Sequence, residues 1–238
     1  MVNKWLKIVQ HWATLCHLLP CYCLLCLKPS QRDIALCQSC ERQLPWLTTA
    51  CVRCALPIAF NERECGECLR SPPPFDLIQA LFDYVWPVKE FIADLKYQHQ
   101  LHFAKLLGRL MAQTFTPRTP VDCIIPMPLA KMRQQQRGFN QTIELARVIA
   151  KYHQLPLHVN YCFREGNKKA QSSLSARQRK HNVTANLFTV KQPIQGKHIL
   201  VIEDVVTTGA TASAFTRALK QAGAATVEIW ACCRTGKN

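Results

Sequence analysis

Acidic residues are scarce in this chain: 15 Asp and Glu stand against 30 Lys and Arg, for a formal charge of +15 over 238 residues. Such a surplus points to an anionic partner, whether nucleic acid, acidic membrane or a polyphosphate metabolite, and does not choose among them. Also missing is a run of 18 or more apolar residues, so no segment is predicted to cross a membrane as a helix. The N-terminal stretch WATLCHLLPCYCLLCL imitates a signal peptide. It lacks the small residue a lipoprotein-type site needs before Cys21, where Pro20 stands, and His11 and His17 interrupt it. The chain is therefore expected to be cytoplasmic. Aromatic residues are few where the cations are dense. Only Phe139 and His181 lie among the basic loops, which argues against a dedicated stacking groove for single-stranded nucleic acid.

Cysteine, by contrast, is abundant. Ten of the 14 lie between Cys16 and Cys68, a density that means disulfides in a secreted chain or metal thiolates in a cytosolic one. The spacing repeats: Cys23/Cys26 and Cys37/Cys40 recur 28 residues later as Cys51/Cys54 and Cys65/Cys68. Both copies read C-x2-C-x10-C-x2-C. A C-x2-C turn presents two thiolates from one tight knuckle, and two knuckles complete a tetrahedral zinc site. Two structural Zn²⁺ ions are expected. The simplest sets are Cys23, Cys26, Cys37, Cys40 and Cys51, Cys54, Cys65, Cys68, although spacing also permits a crossed arrangement. Eight thiolates against two zinc ions would bring the net charge to about +11. Cys123, Cys162, Cys232 and Cys233 fall in strand-like runs and are expected to be buried and inert.

The linker RSPPPFD cannot be helical and marks a boundary. Residues 1–70 are expected to form a small zinc-ribbon module, and 75–238 an α/β domain. In the latter, an extended segment up to Trp86 precedes two helices, the second with Leu106, Leu107, Leu110 and Met111 inward. VDCIIPMPL reads as a strand entering a constrained loop. FNQTIELARVIAKYH reads as a helix with Ile143, Ala146, Ile149 and Ala150 on one face, and LHVNYCF as a strand. SAFTRALKQAG follows as a helix stopped by Gly223, and ATVEIWACC as the last strand. Strands alternating with helices of this length imply a mostly parallel sheet with crossover helices.

Against the general scarcity of acids, ILVIEDVVTTGAT places two of them side by side. Its apolar start suits a strand buried on both faces, and ligands of open α/β sheets bind beyond the carboxyl ends of such strands. Glu203 and Asp204 lie there. The turn that follows opens a helix, whose free N–H groups and dipole favour a phosphate. Gly209 permits close backbone approach, and Thr207, Thr208 and Thr211 offer hydroxyls. Carboxylates can only accept hydrogen bonds, so the pair suits vicinal hydroxyls. A ribose 5-phosphate fits this description. Taken singly, Asp204 or a threonine would more simply be a helix cap, and Glu203 a solvated acid.

The whole string resembles the 5-phosphoribosyl 1-diphosphate (PRPP) motif of type I phosphoribosyltransferases. By that resemblance Glu203 and Asp204 hold the ribose 2- and 3-hydroxyls, and Val205, Val206, Thr207, Thr208, Gly209, Ala210 and Thr211 wrap the 5-phosphate. Thr207 replaces the acid of purine-salvage members, so a purine acceptor is less expected. The loop Pro126, Met127, Pro128 and Leu129 is implied to contact pyrophosphate, which needs Mg²⁺ and fixed cations. Two acid-free stretches supply cations. One holds Lys131, Arg133 and Arg137. The other, Gly166 to Ile202, holds Lys168, Lys169, Arg177, Arg179 and Lys180. Within it KKAQSSLSARQRKHNV is polar enough to close over the site.

The double ribbon, the PPPFD linker, RGFNQ at Arg137 to Gln141, AQSSLSARQRKHNV and EDVVTTGAT together resemble the ComF/GntX (ComFC) family. The resemblance implies a competence protein that binds PRPP and helps single-stranded DNA reach the cytoplasm in natural transformation, working with inner-membrane uptake proteins and resting peripherally at that membrane. The alternative is an active phosphoribosyltransferase with an unknown acceptor and no direct DNA contact.

Overall fold

The computed structural model describes residues 21–59, 62–164 and 187–236. The chain divides into two compact units, Met1–Leu44 and Pro45–Asn238. In the smaller unit, the Cys23 N–H donates to Lys28 O at 2.8 Å and the Leu27 N–H to Cys23 O at 2.9 Å. Leu27 takes a left-handed φ of 59° to close that knuckle. Tyr22 bridges Pro29, and helix α1 (Gln38–Arg42) starts directly after Cys37.

The larger unit opens with the second copy of this design. Cys51 N–H donates to Leu56 O at 2.8 Å and Ala55 N–H to Cys51 O at 2.9 Å. Ala55 is left-handed at φ 53°, Ala50 bridges Pro57, and helix α2 (Gly66–Arg70) follows Cys65. Each feature lies 28 residues beyond its counterpart, so the sequence repeat is a repeat of backbone conformation. Within the larger unit this second copy is hydrogen-bonded to the strand that follows it. Leu47 N–H donates to Leu81 O at 3.0 Å, Asp83 N–H to Pro45 O at 2.9 Å and Ile78 N–H to Arg53 O at 2.7 Å. The Trp46 and Phe82 rings lie 4.7 Å apart.

The remaining elements follow in chain order: β1 (Leu77–Asp83), α3 (Val88–Tyr97), α4 (His102–Thr114), β2 (Cys123–Pro126), α5 (Lys131–Arg137) and α6 (Gln141–His153). After them come β3 (Cys162–Arg164), β4 (Phe188–Val190), β5 (His198–Val206), α7 (Ala210–Gln221) and β6 (Thr226–Arg234). Strands β1, β6, β5 and β2 form one sheet in that order, and every pairing is parallel. β5 and β6 are buried along nearly their whole length, which explains why both read as continuous apolar runs rather than alternating ones. Cys123, Cys162, Cys232 and Cys233 are all buried in strands, and burial pushes the Cys162 thiol up to about 12.

Helix α4 buries Leu106, Leu107, Leu110 and Met111, as its spacing predicts. α6 buries Leu145, Ala146, Ile149 and Ala150, with Ile143 only partly covered. The two helices approach closely at Gly108, where an added Cβ would lie 2.9 Å from the Val148 Cβ. Two expectations are corrected. LHVNYCF is not one strand: Leu157 makes a single bridge to Ile124, a turn intervenes at Val159 and Asn160, and only Cys162–Arg164 pairs, antiparallel with β4. The basic segment Lys131–Arg137 is a helix, α5, ended by Gly138 at φ 73°.

Candidate functional site

In the sheet, Pro126 stands opposite Ile202. The loop leaving β2 therefore emerges beside Glu203 and Asp204, and a cavity of about 290 Å³ opens at this edge. Of the residues expected in the site, Met127, Pro128, Leu129, Arg133, Arg137, Glu203, Asp204, Val205, Val206, Thr207, Gly209 and Thr211 line it. Pro126 remains within β2. Lys131 and Ala210 are exposed first residues of their helices. Thr208 faces a neighbouring cleft shared with Ser213 and Arg217. Lys168, Lys169, Arg177, Arg179 and Lys180, with the loop expected to close over the site, lie outside the described residues.

The two acids are buried, at 8% and 4% exposure, and their environments push them apart. Burial, followed by the negative charge of Asp204, holds the Glu203 carboxyl well above the usual range. Burial would raise Asp204 as well, but Lys96 outweighs it and keeps the group below its ordinary value. Lys96 Nζ lies 2.5 Å from Asp204 Oδ2, and Gln141 Nε2 donates to the same oxygen at 2.8 Å. Val205 N–H donates to Asp204 Oδ1 at 2.7 Å. The two neighbouring carboxyls are thus shifted in opposite directions, Asp204 towards the ionised form and Glu203 towards the protonated one.

Beyond Asp204 the turn is shaped by Gly209, whose φ of 78° lies in the left-handed region. Nothing lies within 4 Å of where its Cβ would stand, so conformation rather than space requires glycine here. The cap residue Gly209 has no side chain to cap α7; the Ala210 N–H donates to Thr208 Oγ1 at 3.3 Å, and the N–H groups that follow it in the first turn lack intrahelical acceptors and suit an anion. Opposite, the loop after β2 is fixed through the Met127 carbonyl, which accepts from Asn140 Nδ2 at 3.0 Å and from Thr142 Oγ1 at 2.8 Å. Asn140 also caps α6 by accepting from the Thr142 N–H at 3.1 Å.

Arg133, Arg137 and Arg164 add positive charge to one wall. Burial, then the nearby Arg133, lowers Arg164, and Glu203 opposes that shift. Arg137 Nη1 donates to Gln141 Oε1 at 2.6 Å and its guanidinium stacks 5.3 Å from the Tyr97 ring centroid. Tyr84, Lys96, Tyr97, Asn140, Gln141, Thr142 and Arg164 also line the cavity, and none was expected in the site from sequence. Asn140 and Gln141 lie inside RGFNQ, a visible signal. The others arrive through tertiary packing.

The cysteines form two clusters, Cys23, Cys26, Cys37, Cys40 and Cys51, Cys54, Cys65, Cys68, each with its sulfurs within 4.8 Å of one another. The sequential pairing holds and the crossed one does not. Cys26 and Cys37 Sγ are 3.7 Å apart and Cys54 and Cys65 Sγ 3.6 Å, close to the ~3.8 Å edge of a tetrahedron with Zn–S bonds near 2.3 Å. Burial alone would raise Cys23, yet N–H groups of Cys37, Cys26 and Leu25 bring it down to about 6. Cys51 behaves alike, reaching about 7 through N–H groups of Cys65, Cys54 and Arg53. Thiolate-stabilising amides around four converging sulfurs suit Zn²⁺, with no ligand position left for substrate.

A double zinc ribbon followed by a parallel α/β domain with this site defines the class, a ribbon-bearing protein of phosphoribosyltransferase type. The profile of the double zinc ribbon domain matches residues 14–69, and that of the phosphoribosyl transferase domain residues 142–238. DNA utilization protein YhgH of Shigella flexneri is 34% identical over 91% of this chain and 98% of its own. Competence protein F of Haemophilus influenzae is 27% identical over 84% and 90%. Among solved structures, glutamine PRPP amidotransferase from B. subtilis, complexed with ADP and GMP, is 18% identical over 54% of this chain and 25% of that one, at a TM-score of 0.38. The chain belongs to the ComF/GntX (ComFC) family. Among the described residues, no helix is long and apolar enough to cross a membrane.

Proposed function

We propose that this protein binds PRPP with Mg²⁺ and serves the handling of incoming DNA in natural transformation, at the cytoplasmic side of the inner membrane. The observation that carries the ligand is the meeting of Glu203 and Asp204, the start of α7 and the arginines in one cavity. A ribose with two phosphorylated ends asks for that division. Its hydroxyls need acceptors, while its phosphates need N–H groups and cations. In this reading Asp204 and Glu203 take the ribose hydroxyls and the turn from Val205 to Thr211 takes the 5-phosphate. Arg133, Arg137 and Arg164 face the pyrophosphate beside the loop fixed by Asn140 and Thr142. Mg²⁺ bound with the ligand would neutralise part of the pyrophosphate charge. The role in DNA handling rests on the relatives' names, DNA utilization protein and Competence protein F.

The second reading, a transferase with an acceptor, is favoured by the wall of Tyr84, Lys96 and Tyr97 at the cavity, where a nucleophile would reach the ribose. Calorimetry with PRPP and Mg²⁺ tests the common element. Wild type should bind and Glu203→Ala/Asp204→Ala should not, and equal binding by both would remove the site. Pyrophosphate release in the presence of candidate acceptors separates transfer from sensing. Loss of transformation in the double variant links the site to DNA, and undiminished transformation would break that link.

A further inference from the structure

Arg234, the last residue of β6, is buried at 4% exposure. Its Nε donates to the Cys54 carbonyl at 3.0 Å. Its Nη1 donates to the carbonyls of Val206 at 3.2 Å, Thr235 at 3.2 Å, and Thr207. One guanidinium therefore joins a cysteine knuckle of the second cluster to the two residues that lead into the phosphate turn.

Two physical consequences follow. A peptide unit is planar, with its C=O and N–H directed oppositely. Holding the Val206 and Thr207 carbonyls on the arginine's side turns the N–H groups of Thr207 and Thr208 away from it, the orientation an anion in the turn requires. Arg234 is also a buried cation whose bonds all go to neutral carbonyls, and among the described residues no carboxylate forms an ion pair with it. Such a charge is costly without a compensating one. Four thiolates around one Zn²⁺ carry two net negative charges, and Cys54 belongs to that set.

We infer that Arg234 is a positioning residue which couples the metal-loaded cluster of Cys51, Cys54, Cys65 and Cys68 to the 5-phosphate turn. The second zinc site is then part of the framework of the sugar-phosphate site. This rests on the PRPP reading and adds to it a defined role for one of the two metals.

The test uses the full chain with cobalt(II) in place of zinc, because tetrathiolate cobalt has visible bands sensitive to its ligands. Ribose 5-phosphate and Mg²⁺-pyrophosphate are titrated separately into wild type and Arg234→Lys, recording calorimetric affinity and the cobalt spectrum. The expected result is a shift of the wild-type bands on adding ribose 5-phosphate, absent in Arg234→Lys. The variant should also lose about ten-fold or more in affinity for ribose 5-phosphate, the loss of charged hydrogen bonds, and keep its affinity for pyrophosphate. Wild-type bands that ignore a bound ribose 5-phosphate overturn the inference, even if the variant does not fold. So does an Arg234→Lys protein that binds ribose 5-phosphate as wild type does. Wild type that binds neither PRPP nor ribose 5-phosphate fails the underlying PRPP reading instead.

Discussion

Lys96 Nζ and Asp204 Oδ2 lie 2.5 Å apart with side-chain exposures of 17% and 6%, so helix α3 and strand β5 are joined by a largely desolvated ion pair at the mouth of the cavity. Removing the lysine leaves a buried carboxylate supported by Gln141, the Val205 N–H and the Glu203 side chain, none of which carries a positive charge. Because Lys96 holds Asp204 below its ordinary value, the pair's contribution is present above the usual aspartate range and is lost as pH falls through the lowered value. Lys96→Met should cost about 3 kcal/mol at neutral pH, with a gap to wild type that narrows in acid. Urea unfolding across pH measures both, and a variant as stable as wild type at neutral pH would show that the pair is not coupled to folding.

Glu203 makes the opposite prediction. Burial and the charge of Asp204 raise its value, so the stability it contributes is present below the ordinary glutamate range and is lost as pH rises through the raised value. A sugar hydroxyl that donates to Glu203 is bound more strongly by the ionised form than by the neutral acid. PRPP binding should then release a proton and strengthen with pH over that interval, and Glu203→Gln should bind more weakly with a flatter profile. Calorimetry in buffers of different ionisation enthalpy counts the proton. Binding with no proton exchanged, or a glutamine variant with the wild-type slope, removes Glu203 from the ligand's contacts.

How much of this was legible in the sequence depends on chain distance. Glu203, Asp204 and the turn to Thr211 are contiguous, so one motif carried them. The cysteine clusters were legible because each metal's ligands sit within one 18-residue span. Lys96, Gln141 and Arg234 are different. Lys96 looks like an ordinary helical surface lysine until α3 is placed beside β5, and Arg234 looks like the end of a strand until its side chain is traced to Cys54. Gln141 stood in the quoted RGFNQ string, yet nothing in its spacing reveals that it links Arg137 to Asp204. The bonds that tie Pro45, Leu47 and Arg53 to β1 were also illegible, because they run between backbone groups that no side-chain motif marks.

The two clusters predict about two zinc ions per chain, bound independently because no cysteine is shared. Cys40→Ser should reduce the content to about one by weakening the first tetrathiolate site. Plasma emission spectrometry on protein purified under reducing conditions gives the count. Wild-type protein with no zinc and all cysteines titrating as free thiols would refute the assignment of both sites.

Asn140 holds two jobs that substitution can separate. Its Oδ1 caps α6 and its Nδ2 fixes the Met127 carbonyl of the loop after β2. Asn140→Ala abolishes both, so folding stability should fall by about 1 kcal/mol from the lost cap and Mg²⁺-pyrophosphate should bind more weakly. Asn140→Ser retains a capping hydroxyl but is too short to serve Met127 as well. Its stability should stay within a few tenths of a kcal/mol of wild type, while its pyrophosphate affinity drops as in the alanine variant. Ribose 5-phosphate, which in the proposed reading contacts the turn after β5 instead, should bind both variants normally. Urea unfolding and calorimetry together decide the matter. A serine variant that binds pyrophosphate as tightly as wild type would reduce Asn140 to a helix cap and leave Thr142 Oγ1, 2.8 Å from the same carbonyl, as the group that sets the loop.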